Sequence, residues 1–486
     1  MDWKAEFDTI LEEVLKLERA WMSWRAEKSE GLDFSVEKTF DYSFRLARMT
    51  TFTNDSGETF DTTAISSPFR EWFTAQMQAI REDGHWTSRS IVQLYRAVSD
   101  RLFAARSLLL EMFPGISEAA LDEELCQKRL VLSLGGGGGT GYAHMSVFQI
   151  LEEENLIPSF IAGTSLGSMM GYFRCLRRSY DPASAALRVP SWLTIARYMG
   201  IFKGGSRHGM PSLVNLEMDK VVSIFTQGMH EKEFPTFEEL EIPFACVSTG
   251  ILAGKAEREL GVPSPGLYGM IKHIGMFPVH KIVETCRSVF QYFVDHPDLT
   301  YEVVFGLDPD TASMQATDAI GFSSMVPGVL HYEVPLNHYH SREVLDDLFE
   351  REHLWRMTDG GLVNNVPSSV AYRAVQMGKI QHRNVFVMAF DVFAPIPNHN
   401  AMFIPIQQLS VPNVTANMRY ADCTCRLRYL FSPLNLSPSL SELHKLKRVT
   451  QSNIAKEIRL LRYAMTRLPS YRHFCSAGRR LVCGVE

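Results

Sequence analysis

The first 128 residues place hydrophobic side chains at the spacing of amphipathic helices. An apolar stripe with charged residues between its members is formed by Trp3, Phe7, Ile10, Leu11, Val14, Leu15 and Leu17. A second helix is predicted over Ser88 to Met112, ending before Phe113-Pro114-Gly115, and the Thr-rich stretch from Tyr42 to Asp61 is predicted as a loop. Residues 1–128 are therefore predicted to form a helical accessory domain.

The pattern changes at residue 129, where short apolar runs alternate with helical segments. A strand is predicted over Leu130–Leu134, followed by a helix whose apolar face carries Ala143, Val147, Ile150 and Leu151. A second strand is predicted over Ile157–Ala162, followed by a helix with Leu166, Met169, Met170 and Phe173 on one face. Further strands are predicted at Phe244–Ser248 and Val385–Asp391. This order predicts an α/β fold with a mainly parallel sheet over residues 129–393.

An apolar insertion is predicted at residues 261–311, within the α/β region. It has few charges around the cluster Met270, Ile271, Ile274, Met276, Phe277, Val279, Ile282 and Val283. The insertion lies just before residues Ser323–Gly328 in the chain. For this reason we predict that it forms a mobile cover or a lipid-contacting surface over the functional site of the α/β region. Packing into the core is the alternative.

Composition and charge narrow the class of protein. The 486 residues are 45% hydrophobic and 21% charged, as in ordinary globular proteins, and the net charge of −6 argues against a nucleic-acid partner. The N-terminus lacks the apolar segment of a secretory signal, and no run approaches the about 18–20 apolar residues that cross a bilayer. The eight cysteines contain no CxxC pair, so neither a metal site nor a cofactor is predicted. We predict a cytoplasmic protein with at most peripheral membrane contact.

Positive charge is concentrated in the C-terminal extension, residues 394–486. Residues 441–486 hold ten Lys or Arg and three Glu, a net charge of +7, which leaves −13 for the preceding residues. Apolar positions recur there at roughly helical spacing: Leu440, Leu443, Leu446, Ile454, Ile458, Leu461, Met465 and Leu468. A basic amphipathic helix of this kind is predicted to attach to anionic membranes. In the alternative, the stripe packs on the acidic remainder of the protein.

Candidate chemistry begins with Gly163-Thr164-Ser165-Leu166-Gly167, between a predicted strand and a predicted helix. A GxSxG sequence in that position is typical of a nucleophile elbow, in which small residues allow the sharp turn that exposes the serine hydroxyl. The alternative is a structural turn. A second candidate, Asp359-Gly360-Gly361, could supply the base that a serine nucleophile needs, although a solvated Asp-Gly turn is common.

The glycine run at residues 135–141 has three interpretations. It fits the GxGxxG pattern of dinucleotide sites, but the next strand ends at Gly163-Thr164-Ser165 instead of at an acidic residue. It could be a flexible loop with packing glycines. The third interpretation is an oxyanion hole, which needs backbone N–H groups close to a serine nucleophile. We favour this one because the predicted elbow follows one βα unit later.

Together these motifs resemble the patatin-like phospholipase family, which joins a glycine-rich loop, a GTSxG serine and a DG[GA] aspartate in this order. They stand here as Gly136-Gly137-Gly138-Gly139-Thr140-Gly141, Gly163 to Gly167 and Asp359-Gly360-Gly361, with further similar patches at Ala143-His144, Leu240–Phe244 and Ala319–Gly328. The resemblance covers about residues 129–393. Thr140 departs from the family pattern, which usually has Arg or Lys there.

The resemblance implies a three-layer α/β/α fold and a lipid acyl hydrolase that cleaves phospholipid esters without a cofactor. Ser165 would be the nucleophile, Asp359 the base, and amides of the loop from Gly136 to Gly141 the oxyanion hole. Because a free carboxylate is a weak base at pH 7, burial is expected to raise the pKa of Asp359.

Two other functions remain open from the sequence. An α/β-hydrolase triad would pair Ser165 with an acid and with His382 or His399, and Asp391 would be the alternative acid. A non-catalytic lipid- or protein-binding module is favoured by Thr140 and disfavoured by the intact serine and aspartate. His144 is interpreted as a packing or capping residue.

Overall fold

A computed structural model describes residues 9–27, 31–81, 84–201, 206–212, 214–254, 279–396 and 401–475. The chain divides into two compact units. The first unit consists of Met1–Leu130, Arg373–Phe386 and Lys456–Glu486, and the second of Val131–Tyr372 and Val387–Ala455. The predicted extension 394–486 is thus divided between both units.

The helices are numbered in chain order. They are α1 (Thr9–Glu27), α2 (Phe34–Arg48), α3 (Thr63–Ala79), α4 (Ser88–Met112), α5 (Glu118–Cys126), α6 (Ala143–Glu153), α7 (Leu166–Cys175), α8 (Pro182–Leu187), α9 (Trp192–Arg197), α10 (Met218–Thr226), α11 (Val279–Asp295), α12 (Pro309–Ala312), α13 (Ala316–Ser323), α14 (Tyr339–Arg351), α15 (Gly361–Asn364), α16 (Ser368–Gln376), α17 (Ile404–Met418), α18 (Leu440–Asn453) and α19 (Ala455–Met465). Short 3₁₀ turns cover Gly138–Tyr142, Phe237–Glu239, Pro297–Leu299 and Ala401–Phe403.

The strands form three sheets. They are β1 (Thr51–Thr53), β2 (Thr59–Asp61), β3 (Arg129–Leu134), β4 (Phe160–Thr164), β5 (Met199–Ile201), β6 (Val214–Leu216), β7 (Phe244–Leu252), β8 (Thr300–Phe305), β9 (Leu330–His331), β10 (Leu354–Asp359), β11 (Val385–Asp391) and β12 (Cys423–Arg426). β1 pairs with β2, and β5, β6 and β9 form a small sheet. The other strands form the seven-stranded central sheet.

The described part of Met1–Leu130 contains five helices, and α1 and α4 lie where the two apolar patterns predict helices. Trp3 and Phe7 of the first pattern lie outside the described residues. α4 has the predicted bounds, and Trp21 is buried with its indole N–H donating to Asp41 at 2.8 Å. The loop predicted from Tyr42 to Asp61 is wrong. α2 continues to Arg48 because its inward face carries large apolar side chains that are buried, and a β1–β2 hairpin follows with Gly57 in its turn at φ +83°.

The C-terminal apolar stripe is buried within the protein. In the second unit, α18 packs on α6 with Leu443 and Leu446 buried, and Lys447 binds Glu153 at 2.6 Å. In the first unit, Ile458 and Leu461 are buried on α19. Most of the stripe is therefore occupied by protein contacts, as in the alternative interpretation, whereas Leu440 is 44% exposed. Attachment of this region to an anionic membrane stays a prediction. Burial inside the protein removes the same apolar surface from water that a membrane would have covered.

The central sheet confirms the predicted α/β class. Its order is β10-β7-β4-β3-β11-β12, with β8 also paired to β7. Neighbours β3 and β4, β4 and β7, and β11 and β12 are parallel, whereas β8 and β10 run antiparallel to β7. The fully buried strands β4 and β11 have the continuous apolar sequences that such a sheet requires.

The long strand β7 brings the C-terminal ends of two other strands together. β4 pairs with its first half, with Thr164 opposite Val247, and β10 pairs with its second half, with Asp359 opposite Ser248. β8 pairs with Cys246 through Ile251 and so takes the other edge. β4 and β10 consequently share one edge of β7, and their C-terminal ends meet end to end.

The described part of the predicted cover does not form one mobile segment. Residues 255–278 lie outside the described residues, and with them most of the predicted apolar cluster. The remainder contains α11 and β8, and β8 pairs with β7 over its whole length. Residues 300–305 are therefore part of the central sheet, where six paired residues fix them, and the prediction of a cover is wrong for them.

Candidate active site

Ser165 occupies a sharp turn between β4 and α7. Its backbone has φ +53° and ψ −131°, a conformation that residues other than glycine rarely adopt. The strain is held in place from both sides: the Ser165 N–H donates to the Ser323 hydroxyl at 2.8 Å, and the Ser165 carbonyl accepts from the Ser168 hydroxyl at 2.6 Å. This geometry is that of a nucleophile elbow.

The glycines on either side of Ser165 are required by close backbone contacts. A Cβ at Gly163 would lie 2.6 Å from the Cα of Ser168, and a Cβ at Gly167 would lie 2.4 Å from the carbonyl oxygen of Leu134. The elbow therefore depends on small residues at both positions, as the GxSxG motif predicts.

Asp359 is the last residue of β10 and lies next to Ser165. The Ser165 side chain lies close enough to the Asp359 carboxylate to lower its pKa, and the Gly361 N–H donates to Asp359 Oδ1 at 2.8 Å. Gly360 allows the chain to turn here, because a Cβ would lie 2.2 Å from the carbonyl oxygen of Val247. The two residues that the motifs single out, nearly 200 positions apart in the chain, thus line the same cavity.

Burial makes Asp359 a stronger base than a free carboxylate. Loss of solvent raises the pKa of Asp359 from 3.8 to about 6, and the hydrogen bonds from Ser165 and Gly361 oppose this rise only in part. At neutral pH the carboxylate is still ionised, and its pKa lies close enough to 7 for proton transfer.

The glycine loop offers fewer amides than the sequence suggests. The Gly136 N–H donates to the Asn365 carbonyl at 3.1 Å, and the Gly139 N–H donates to the Pro433 carbonyl at 2.7 Å. Gly137 and Gly138 line the cavity beside Ser165, and their amides have no acceptor within the described ranges. The expectation that the whole run forms the oxyanion hole is therefore wrong for the amides of Gly136 and Gly139, and those of Gly137 and Gly138 remain candidates.

The last two residues of the loop have other contacts. The Thr140 hydroxyl donates to the Gly137 carbonyl at 2.8 Å, and its side chain is buried. A Cβ at Gly141 would lie 3.1 Å from the Leu166 side chain, so Gly141 allows the loop to pack against the start of α7. Both residues support the loop and do not line the cavity.

An apolar cavity of about 340 Å³ contains Ser165 and Asp359. Its walls come from α11, α17, the small sheet of β5, β6 and β9, and the loops before β9 and after β11 and β12. The apolar side chains of its wall are Met199, Val214, Val283, Phe290, Val326, Val329, Leu330, Phe393, Phe403, Ile406, Pro433, Leu434 and Leu436. Such a lining suits a hydrocarbon chain, and Ser165, Asp359, Gly137 and Gly138 are part of the same wall.

Residues of α13 and of the loop after it hold Ser165 and Asp359 in place, a role that the sequence did not indicate. The Ser323 hydroxyl accepts from the Ser165 N–H and donates to the Val247 carbonyl at 2.5 Å. The Met325 carbonyl accepts from the Asp359 N–H at 3.0 Å. One short segment thus holds both members of the pair, and the resemblance of Ala319–Gly328 to the family was the signal that could have indicated it.

Two residues of the alternative triad, His382 and Asp391, have other partners. His382 binds Glu124 at 3.0 Å and Arg129 at 3.1 Å in the first unit, so the structure does not pair it with Ser165. His399 lies outside the described residues. The Asp391 carboxylate accepts from the Phe393 N–H at 3.0 Å. Buried His144 contacts the Gly135 carbonyl at 2.9 Å, and burial lowers its pKa to about 4, as befits a neutral packing residue.

Over the described ranges, no group of three or more His, Cys, Asp and Glu side chains is arranged to hold a metal ion. None of the helices described above combines the length and the hydropathy needed to span a bilayer.

Comparison with known proteins assigns the α/β region to a family. Residues 132–372 match the patatin-like phospholipases. Over 212 residues the chain is 26% identical to patatin-like phospholipase domain-containing protein 7 of Mus musculus, covering 37% of this chain and 14% of that protein. Over 128 residues it is 30% identical to an uncharacterized NTE family protein of Mycobacterium tuberculosis, covering 26% of this chain and 32% of that protein.

A fungal relative is also similar. Over 149 residues the chain is 43% identical to lysophospholipase NTE1 of Mycosarcoma maydis, covering 29% of this chain and 7% of that protein. The chain thus spans a third or less of the length of these relatives.

Proposed function

Because residues 132–372 form a patatin-like phospholipase domain, we propose that this chain is a lipid acyl hydrolase that uses Ser165 and Asp359 as a catalytic dyad. The observation that carries the proposal is that these two side chains line one apolar cavity, with Ser165 close enough to the Asp359 carboxylate to lower its pKa. The strained backbone of Ser165 adds support, since such strain is found at functional sites.

In the acylation step, the ester carbonyl carbon lies over Ser165 Oγ with the acyl chain in the cavity. Asp359 accepts the hydroxyl proton as the Oγ–C bond forms, and the negative oxygen of the tetrahedral intermediate accepts hydrogen bonds from the Gly137 and Gly138 amides. The bond from carbon to the alcohol oxygen then breaks. Asp359 returns its proton to that oxygen, and the alcohol leaves an acyl-serine behind.

In the deacylation step, water replaces the alcohol. Asp359 accepts a proton from the attacking water, the same two amides stabilise the second tetrahedral intermediate, and the Oγ–C bond breaks. Ser165 Oγ regains the proton from Asp359, and the fatty acid leaves. The step needs no group beyond the dyad, the amides and water.

The dyad is tested with Ser165→Ala and Asp359→Asn in the full chain. We expect each to lose ester hydrolysis almost completely and the double variant to be no worse, because residues that act as one unit are non-additive. Exposed Ser288 and Asp347 supply matched controls: Ser288→Ala and Asp347→Asn should keep full activity.

Labelling by a fluorophosphonate separates an enzyme from a binding module. We expect the wild type to be labelled at Ser165 and the Ser165→Ala variant to be unlabelled. An unlabelled wild type that still binds lipid would overturn the enzyme proposal and favour the non-catalytic module. Full activity in Asp359→Asn would refute the dyad.

We propose phospholipids and lysophospholipids as the substrate class. One relative is named a lysophospholipase, and the cavity is apolar except near the dyad. Release of fatty acid from lysophosphatidylcholine and from phosphatidylcholine, compared at equal surface concentration, distinguishes a one-chain from a two-chain substrate. Hydrolysis of neither, with rapid hydrolysis of a soluble ester, would remove phospholipids from the proposal.

Membrane contact is proposed through exposed leucines, one of which, Leu440, is the first residue of the C-terminal stripe. Leu434 lines the cavity and is 41% exposed. Leu187, 75% exposed, and Leu440 line a second cavity, and the Ser437 hydroxyl ties the Leu434 loop to the Pro190 carbonyl at 2.8 Å. Apolar side chains at a cavity mouth could enter a lipid surface while a substrate enters the site.

Vesicle flotation tests this contact. Leu187→Ser combined with Leu434→Ser should lower binding to phosphatidylserine vesicles and hydrolysis of vesicle lipid, while hydrolysis of a soluble short-chain ester falls by less than two-fold. Equal losses on both substrates would indicate that the leucines serve the cavity and not a lipid surface.

A further inference from the structure

The peptide group between Gly137 and Gly138 lies at the centre of the proposed anion site. Neither residue has a side chain that could restrain it, and Gly138 has φ +57°, in the region where glycine is favoured. A Cβ on Gly138 would also lie 2.4 Å from the Pro433 carbonyl oxygen. The turn therefore needs glycine here, and glycine alone does not fix the direction in which its N–H points.

Thr140 supplies a restraint on this peptide group. Its hydroxyl donates to the Gly137 carbonyl at 2.8 Å from a buried position. In a trans peptide the C=O of one residue and the N–H of the next point in opposite directions. A hydrogen bond that holds the Gly137 carbonyl on the protein side therefore directs the Gly138 N–H to the opposite side, and Gly138 is a residue of the cavity wall.

The fit between the two residues is close. A Cβ on Gly137 would lie 2.3 Å from Thr140 Oγ1, so any larger residue at position 137 would displace the hydroxyl. The branched side chain of threonine restricts χ1, and one of its favoured rotamers in a helical turn lets the hydroxyl bond the carbonyl three residues earlier, here that of Gly137. The side chain at the position where the family usually has a basic residue is thus engaged with the loop itself.

We propose that Thr140 is a positioning residue for ester hydrolysis, whose hydroxyl orients the Gly138 N–H toward the oxyanion. The inference rests on the proposed function and adds a residue to it. Thr140 reaches the reacting atoms only through the Gly137–Gly138 peptide. Its effect should therefore fall on the turnover of bound substrate and not on the binding of the acyl chain.

The test compares Thr140→Val, which keeps the shape and removes the hydroxyl, with Thr140→Ser, which keeps the hydroxyl. Loss of a complete oxyanion donor lowers turnover by about 10²–10³. Because Thr140→Val leaves the Gly138 N–H present but less well directed, we expect kcat to fall about 10-fold or more. KM should change less than about two-fold, and Thr140→Ser should stay within about three-fold of the wild type.

A second readout and a second pair of variants keep the test decisive. The rate of labelling by a fluorophosphonate, which places a phosphoryl oxygen in the oxyanion position, should fall in parallel with kcat. If Thr140→Val does not fold, Thr140→Ser is compared with Thr140→Cys instead. The two side chains differ only in the hydroxyl or thiol atom, and because a thiol is the weaker donor, the cysteine variant should have the lower kcat. Wild-type kcat in Thr140→Val or Thr140→Cys, or a rise in KM alone, would overturn the proposal. Activity that survives in Ser165→Ala would refute the proposed function instead.

Discussion

Replacing Asp359 with asparagine is expected to abolish turnover and yet make the protein more stable above pH 6. The side chain keeps its size, and the asparagine oxygen can still accept from the Gly361 N–H while its amide donates to Ser165 Oγ. What disappears is the cost of holding an ionised carboxylate away from water. That cost appears in the pKa of Asp359, which burial raises from 3.8 to about 6.

The magnitude follows from proton linkage. A pKa difference of one corresponds to about 1.36 kcal/mol, so the rise weakens the folded wild type by about 3 kcal/mol when the carboxylate is ionised. Between pH 3.8 and about 6 the folded state binds more protons than the unfolded state, so wild-type stability falls as pH rises through this window. The asparagine variant lacks this loss. Its advantage should be about 3 kcal/mol at pH 8 and about half of that at pH 5.

Denaturant unfolding of the full chain at pH 8 and pH 5 measures the difference, with thermal unfolding as a second probe. Asp347→Asn is the control, because an exposed aspartate carries no burial cost and its replacement should give the same small difference at both values of pH. An Asp359→Asn variant whose advantage over the wild type does not grow between pH 5 and pH 8 would show that Asp359 is an ordinary acid. In that case burial would not make Asp359 a stronger base than a free carboxylate.

Three further outcomes are expected. Wild-type kcat/KM should fall as pH drops below about 6, to roughly a tenth of its plateau at pH 5, because Asp359 must be ionised to accept a proton; a flat profile from pH 8 to pH 5 would contradict this. Ser323→Ala should lower kcat about 10-fold and the free energy of unfolding by roughly 1–3 kcal/mol, since it leaves the buried N–H of Ser165 without its acceptor. Gly167→Ala should lower the free energy of unfolding by more than about 3 kcal/mol. The control is Gly200→Ala, which should stay within about 0.5 kcal/mol of the wild type because a Cβ on Gly200 would meet open space. Equal stabilities of the two variants would show that Gly167 is not required by packing.

The sequence predicted the parts of the site that are encoded locally. A turn between a buried strand and a helix needs small residues at fixed positions around its serine, so Gly163, Ser165 and Gly167 can be recognised without knowledge of the rest of the fold. The strand before Ser165 and the strand at Val385–Asp391 were predictable for the same reason, because full burial requires a continuous apolar sequence.

The features that depend on distant partners could not be predicted in this way. Two amides of the glycine run are occupied by the carbonyls of Asn365 and Pro433, and nothing in the run itself indicates which two. The meeting of β4 and β10 depends on the length of β7. An apolar stripe likewise suits either a membrane or a protein neighbour, and only the acceptor surface, here α6 for the first half of the stripe, decides between them.

The hydrogen bonds that complete the glycine loop have a consequence for the synthesis of the chain. Tyr142 donates from its hydroxyl to the Leu436 carbonyl, a partner 294 residues later, and Gly139 depends on nearby Pro433. At about 5–20 residues per second, a ribosome needs roughly 15–60 s to bridge that interval. During this time the nascent polypeptide carries its serine but lacks the support of the anion-binding turn. We expect the glycine loop to reach its final geometry only after residue 436 has left the exit tunnel, so that translation itself sets the earliest time for the proposed hydrolysis.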